Sequence, residues 1–377
     1  MVPPLTQADI SGLLSTPTEE ARAQVAVKVG TQVDAGGLSG QERLLANDIL
    51  RLMVQDAASL VRIAVAESIA KTPDIPADVA AALANDIDEI ALPFLEVSPA
   101  ISDEDLIAIV RSNGGSKAAA IAGRSTVSSA VTEAIAEDGG KEAVSRMLEN
   151  QGADIAPSSY NRVIDRWHDD DDVTGLMAER DVLPLNVSER LVALVTDEVK
   201  ERLVSRHGIG SELADRMALE AREAATIALL DGLPTIDDYV ALMEHLQASG
   251  RLSGSLIVRA ACMGEMRFVE HALAQMARVA PERAWTLVHD AGRLGLRALF
   301  QQARLSQNLY LPLRTAVDVF HDISLNGEVH DRENFRRSII ERILTQPDGL
   351  KNDDLDFLLY QMSRKHEIET ADQALSA

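Results

Sequence analysis

A local pattern recurs along the first half of this 377-residue chain at nearly constant spacing. An apolar residue followed by a capping residue or proline occurs at Ile75, Ile101, Val127, Ile155 and Leu185, in steps of 26, 26, 28 and 30 residues. An apolar side chain just before a cap is the hydrophobic-staple arrangement that fixes how a chain enters a helix. A second, shorter apolar segment lies between consecutive staples, so each period holds two short helices. Helices this short cannot bury a core alone, and the units therefore have to stack.

Composition and periodicity both favour helices throughout the chain. Aromatic residues make up only 3% of the sequence, whereas strands are usually enriched in aromatic and β-branched residues. Beyond residue 185 the helices lengthen, and apolar residues recur with helical spacing around Leu242, Leu273, Val317 and Leu359. We therefore expect an all-α fold that begins with an α-solenoid of short helical hairpins. Asp56, Val61 and Arg62 resemble the core of a HEAT-type repeat, so this solenoid is expected to be HEAT-like, followed by a C-terminal helical bundle or a continuation of the solenoid.

The same features suggest three regions. Residues 1–35 are expected to hold one helix, around Glu19 to Lys28, and a linker. Residues 36–206 are expected to form an acidic HEAT-like repeat region, and residues 207–377 an arginine-rich helical domain.

The net charge excludes several classes of partner. The sequence contains 59 acidic and 36 basic residues, giving a formal charge of −23. Affinity for nucleic acid comes largely from neutralising phosphates, and anionic membrane surfaces likewise attract basic segments. We therefore expect neither a nucleic-acid partner nor membrane insertion. The charge is uneven, since residues 1–200 carry −17 and residues 251–350 carry +2.

Cellular location is suggested by two further features. Cys262 is the single cysteine and cannot form an internal disulfide, and the first ten residues lack the charged start and apolar run of a signal peptide. We expect a cytoplasmic protein.

Several stretches resemble an uncharacterised bacterial family with HEAT-like repeats, known only as a domain of unknown function. Asp56, Val61 and Arg62 match the D-x4-V-R core of a HEAT-type repeat. The remaining similar stretches are residues 91–99, 121–128, 250–264 and 335–342. The resemblance implies a helical-repeat fold and brings no catalytic residues.

Motifs with a known chemistry are weak. His168 and the four aspartates after it could be a hard-metal site, but acids just before a helix are expected to cap it. The loop from Asp322 to Glu333 fits a calcium loop at six positions, with Gly327 at the turn, yet its flanking apolar residues are each one place out of register. We interpret it as an ordinary Asn-Gly turn. Cys262 is expected to be buried, and no metal or cofactor is expected.

The arginines of the second half are the main candidate for binding. Between residues 251 and 350 all 13 basic residues are arginine, the side chain best suited to bidentate recognition of carboxylates and phosphates. Ion pairs with Glu265, Glu270, Glu282 and Asp290 would explain them without a ligand. A groove for an anionic ligand would use a subset, for which the candidates are Arg259, Arg267, Arg293 and Arg297.

These observations favour a non-enzymatic scaffold or adaptor that binds another protein, whose identity the sequence leaves open together with self-association. The alternative is a signalling adaptor whose arginine-rich half binds a small anionic or phosphorylated ligand. An enzyme is not expected, because no nucleophile and base can be paired.

Overall fold

The computed structural model describes residues 18–112, 115–230, 235–290 and 294–322, together with 335, 337–339 and 341–342. Its described elements are helical, apart from an isolated bridge between Val127 and Ala153. The all-α prediction is therefore confirmed. Contacts divide the chain into two compact units, Met1–Leu183 and Pro184–Ala377. The sequence predicts a boundary at residue 206, near the end of the helix Leu185–His207. The contacts place it at the start of that helix.

The helices of the first unit are short. They are α1 (Glu19–Ala35), α2 (Gly40–Met53), α3 (Ser59–Ile69), α4 (Ala77–Ala84), α5 (Asp88–Val97), α6 (Asp103–Ser112), α7 (Ser116–Ala122), α8 (Ser129–Asp138), α9 (Lys141–Glu149), α10 (Pro157–Trp167) and α11 (Asp171–Ala178). Those of the second unit include longer ones. They are α12 (Leu185–His207), α13 (Ser211–Leu229), α14 (Ile236–Ala248), α15 (Gly254–Met263), α16 (Met266–Ala277), α17 (Pro281–Val288), α18 (Leu294–Gln302) and α19 (Tyr310–Asp322).

The recurring staples mark helix starts, as the sequence predicts. Ile101, Val127 and Ile155 are buried just before α6, α8 and α10. Ser128 then caps α8, since its hydroxyl accepts a hydrogen bond from the Val131 amide. Each 26–30-residue period also holds a second helix, so the predicted two helices per period are present.

In the first unit, helices pack mainly on the helix two places further along. The odd-numbered helices from α1 to α11 form one continuous layer. In the other layer α2 contacts α4, and α6, α8 and α10 follow one another, but α4 and α6 pack much less closely. The side chains that face each other there include Ala81 and Ala84 of α4 and Ala108 of α6, which are too small to fill the space. A cleft is left between these two helices.

The second unit has one large apolar core. Phe268, Leu273 and Phe300 are fully buried, together with Tyr239 and Leu242 from the predicted stripe of α14. Apolar residues also recur with helical spacing along α12 and α13, which predicts a buried stripe on each helix, and these stripes are not confirmed. They include Val195, Val199, Leu213 and Met217, which are 46–59% exposed.

Candidate functional site

Arg259, a predicted binding residue, lies inside the second unit. Its side chain is 9% exposed, and its Nε atom is 3.0 Å from Oε2 of Glu223 on α13. The hydroxyls of Ser253 and Ser255 donate to the two oxygens of the same carboxylate, at 2.8 and 3.0 Å. One charged and two hydroxyl donors therefore satisfy a carboxylate that is only 4% exposed. This arrangement joins α13 to α15 and holds the guanidinium of Arg259 in an internal ion pair.

The other three predicted arginines have different surroundings. Arg267 and Arg297 are exposed on α16 and α18, and neither forms an ion pair with the residues that the structure describes. Arg293 lies outside the described residues.

A second buried carboxylate connects α12 to α14. Glu189 is 1% exposed, and its two oxygens lie 2.8 Å from Nε2 of His245 and 3.0 Å from Nη1 of Arg251. Arg251 also lies 2.8 Å from the same ring nitrogen of His245. Burial lowers the pKa of Arg251, while Glu189 acts in the opposite direction. These contacts are internal and expose little polar surface to a ligand.

Ion pairs connect neighbouring helical pairs at the start of the first unit. Arg22 of α1 binds both oxygens of Asp56, at 2.7 and 3.0 Å, and this hydrogen bonding holds the pKa of Asp56 below its usual range. Arg62 of α3 binds Asp86 in the same way, at the same two distances. Asp56 and Arg62, two positions of the D-x4-V-R match, therefore both form ion pairs across helical hairpins.

Farther along, three guanidinium groups bind the carbonyl oxygens of helix ends. Arg124 donates to the carbonyl oxygens of Leu95 and Ser98, at 2.5 and 2.7 Å, where α5 ends. Burial lowers its pKa. Arg180 donates in the same manner to Leu148, at 2.9 Å, at the end of α9. Two more side chains bind preceding helix ends in this way, Asn150 at α7 and Arg166 at α8. Each satisfies carbonyls that a helix end leaves free.

The remaining motif residues are structural where they are described. Asp170 caps α11 through the amides of Asp172 and Val173, and its hydrogen bond from Lys141 lowers its pKa. The cap interpretation of this acidic run is confirmed. Cys262 is buried, as expected. The predicted turn after Asp322 lies outside the described residues.

The cleft between α4 and α6 is the surface feature that sequence reasoning missed. It encloses about 110 Å³, with Ile101 and Ile109 buried at its floor and Asp105 exposed at its rim. Its remaining lining residues are Ala81, Ala84, Asn85, Ala108 and Ser112. Ligand pockets usually enclose roughly 300–1,000 Å³, so this cleft suits one aliphatic side chain better than a cofactor or a metabolite.

The surroundings of the cleft are strongly acidic. Residues 74–112 contain nine acidic residues and one basic residue, Arg111. Four of the nine acids form ion pairs among the described residues, Asp74 with Arg43, Asp78 with Arg51, Asp86 with Arg62 and Glu96 with Arg146, and the other five do not. The acidic run is visible in the sequence. The cleft is not visible in the sequence. It depends on the packing of small residues from two helices that lie about 25 positions apart.

The described residues offer neither a metal-binding cluster nor a membrane-spanning helix. No group of three or more His, Cys, Asp or Glu side chains there is arranged to hold a metal ion. None of the described helices combines the length and the apolar character needed to cross a membrane.

A family model matches residues 90–350, and its description is "Uncharacterised protein conserved in bacteria (DUF2336)". The chain belongs to this family. No match was found among curated proteins or among solved structures.

The DUF2336 match covers most of the stretches that suggested a family resemblance. It includes residues 91–99, 121–128, 250–264 and 335–342, and it spans parts of both compact units. Asp56, Val61 and Arg62 precede the matched span. The family identity therefore rests on the later helices, and it assigns no activity.

Proposed function

We propose that this DUF2336 protein is a non-enzymatic scaffold, a HEAT-like α-solenoid, that binds a basic segment of another protein. The observation that carries the proposal is the cleft between α4 and α6. Its volume matches a single aliphatic side chain, and its surroundings carry an excess of negative charge. A segment with one such side chain flanked by Lys or Arg complements both features.

The layered packing supports the solenoid part of the proposal. Each helix of the odd-numbered layer packs on the next one of that layer, as in stacked repeats. Side chains such as Arg62 and Arg124 then connect successive hairpins through their ends. A stack of this kind presents a long surface, and repeat proteins commonly use such surfaces to bind partners.

The expected energetics are those of a small anchored interface. Burial of one aliphatic side chain contributes about 1.5–3 kcal/mol, and the surrounding charge mainly speeds association and selects the partner. Because exposed charges are screened by salt, binding should weaken at higher ionic strength.

The test begins with a selection from a library of random peptides displayed on phage, using the full chain as the target. We expect enriched peptides to carry one Leu, Ile, Val or Met next to basic residues. Ala108→Trp fills the cleft and should raise the dissociation constant of a selected peptide at least ten-fold. Ala130→Trp is the matched control, because Ala130 is exposed on α8 of the same layer and lies outside the cleft. Equal binding to both variants would contradict the proposal.

A second candidate is the anion-binding adaptor. The observation in its favour is that Arg267 and Arg297 are exposed without ion-pair partners among the described residues. Calorimetric titration against nucleotides, cyclic dinucleotides and phosphorylated peptides tests it. Saturable binding that Arg297→Lys weakens without a change in melting temperature would favour this function over the scaffold.

A further inference from the structure

Three side chains from three helical segments form a hydrogen-bonded row in the second unit. His289, directly after α17, has its Nε2 atom 2.7 Å from Oε1 of Glu270 on α16. Its Nδ1 atom is 2.8 Å from Nε2 of His321, in the last turn of α19. The His289 and Glu270 side chains are only 13% and 12% exposed, and the rings of Trp285 and Phe320 lie beside His289. The row therefore lies where α16, α17 and α19 meet.

The hydrogen-bond donors and acceptors of the three side chains limit how many protons the row can hold. The Glu270 carboxylate only accepts, so Nε2 of His289 carries a hydrogen. When both rings are neutral, Nδ1 of His289 accepts the N–H of His321. One added proton is tolerated, because a single hydrogen can still lie between the facing nitrogens. A second added proton puts an N–H on both of them, which removes the hydrogen bond and brings two positive charges together.

Among the described groups near His321, Asp318 and Asp322 raise its pKa and Arg314 lowers it, so this repulsion is offset only in part. Asp318 and Asp322 lie on the same helix, but they pair with Arg314 at 2.6 Å and with Arg342 at 2.5 Å. Glu270 is thus the one carboxylate that the row itself supplies, and it balances one imidazolium.

The pKa of His321 agrees with this count. Burial lowers it, and His289 lowers it further. A base whose pKa is lowered by folding binds protons more weakly in the folded chain than in the unfolded one. Stability is then constant above the unfolded pKa of about 6.5 and falls as the pH decreases below it.

We propose that Glu270, His289 and His321 form a pH-sensitive latch. It holds α17 and α19 together while the two rings share a hydrogen, and it opens when both rings are charged. The latch concerns the second unit alone and does not depend on the function proposed above.

Hydrogen exchange of the full chain between pH 5.0 and 7.5 tests the latch, with rates corrected for the intrinsic effect of pH. In the wild type we expect protection of residues 281–290 and 310–322 to fall at least ten-fold below about pH 6. In His321→Gln a neutral amide replaces one ring and can still donate to Nδ1 of His289, so this fall should disappear. His271→Gln is the matched control, because His271 stacks on Tyr239 and lies outside the row.

An identical pH dependence in wild type and His321→Gln would overturn the proposal, as would its loss in His271→Gln. If His321→Gln does not fold, the ring proton resonances of the wild-type chain decide. The latch requires the ring of His321 to titrate below pH 6.5, and titration of His321 at or above that pH would overturn it.

Discussion

At the scale of single residues, arginines have two structural roles in this chain. Arg22 and Arg62 bind carboxylates of the next hairpin, whereas Arg124 and Arg180 bind carbonyl oxygens at the end of an earlier helix. The planar guanidinium can reach two acceptors at once, which a lysine cannot do with the same geometry. The first unit therefore uses arginine to fix the position of one hairpin on another.

This role can be measured at Arg124. Replacement by Met removes hydrogen bonds to two carbonyl groups, and bonds from charged donors contribute about 1.5–3 kcal/mol each. We expect Arg124→Met to lower the free energy of unfolding by at least about 2 kcal/mol in urea denaturation. Arg111→Met is the matched control. Its side chain is 60% exposed and its only described ion pair, to Asp138, is 3.5 Å long, so a few tenths of a kcal/mol are expected. Equal losses in both variants would contradict the assigned role.

A second prediction concerns backbone strain at Arg278. This residue ends α16 with a φ of 54°, in the left-handed region that costs a residue with a side chain about 1 kcal/mol. Arg278→Gly should therefore raise the free energy of unfolding by up to about 1 kcal/mol. Arg267→Gly, in the first turn of the same helix, should lower it by a similar amount. Thermal denaturation of both variants checks the opposite signs, and destabilisation by Arg278→Gly would show that its side chain has a structural role.

Some residue roles could be predicted from the sequence and others could not. The cap at Asp170 and the burial of Cys262 follow from local patterns. The partner of Arg259 does not. Local pairing pointed to acids such as Glu265, but the structure uses Glu223, which is far away in sequence and on another helix. The row through His289 could not be predicted from the sequence for the same reason, since its three members lie far apart in sequence on different helical segments.

At the scale of helices, the sequence predicts where a helix begins better than it predicts which face of that helix is buried. Staples and capping patterns are local, and the Thr-x-x-Asp pattern from Thr235 to Asp238 indicates the capping box that α14 has. Which face of a helix is buried depends on its neighbours. For α12 the apolar spacing suggested a buried stripe, yet Val195 and Val199 are exposed, while Val187 and Ala193 are buried.

The proposed repeat architecture predicts how far the effect of a destabilising substitution extends. Val61 is fully buried on α3, so Val61→Asp places an unpaired charge in the core and should cost at least about 3 kcal/mol. In a stack of repeats each unit contacts mainly its neighbours. Hydrogen exchange should therefore accelerate in α1 to α5 while α10 and α11 stay protected. Leu60→Asp, at an adjacent position that is 43% exposed, is the control and should have little effect. Uniform acceleration across the first unit would contradict the repeat assignment.

At the scale of the whole chain, the two compact units differ in charge. Residues 1–183 contain 30 acidic and 14 basic residues, giving −16, and residues 184–377 contain 29 and 22, giving −7. The first unit is therefore expected to attract a basic partner more strongly than the second, and residues 74–112 account for half of its excess negative charge. The arginines of the second unit reduce its charge without making it basic. This difference favours a basic partner at the first unit over an anionic ligand at the second.

Hydrogen exchange of the full chain with and without a selected peptide tests this account most directly. If the chain is a scaffold that uses its acidic cleft, the peptide should slow exchange in residues 77–84 and 103–112, and Ala108→Trp should abolish that protection. Protection confined to α16 and α18, where Arg267 and Arg297 are exposed, would contradict the account and favour the anion-binding alternative.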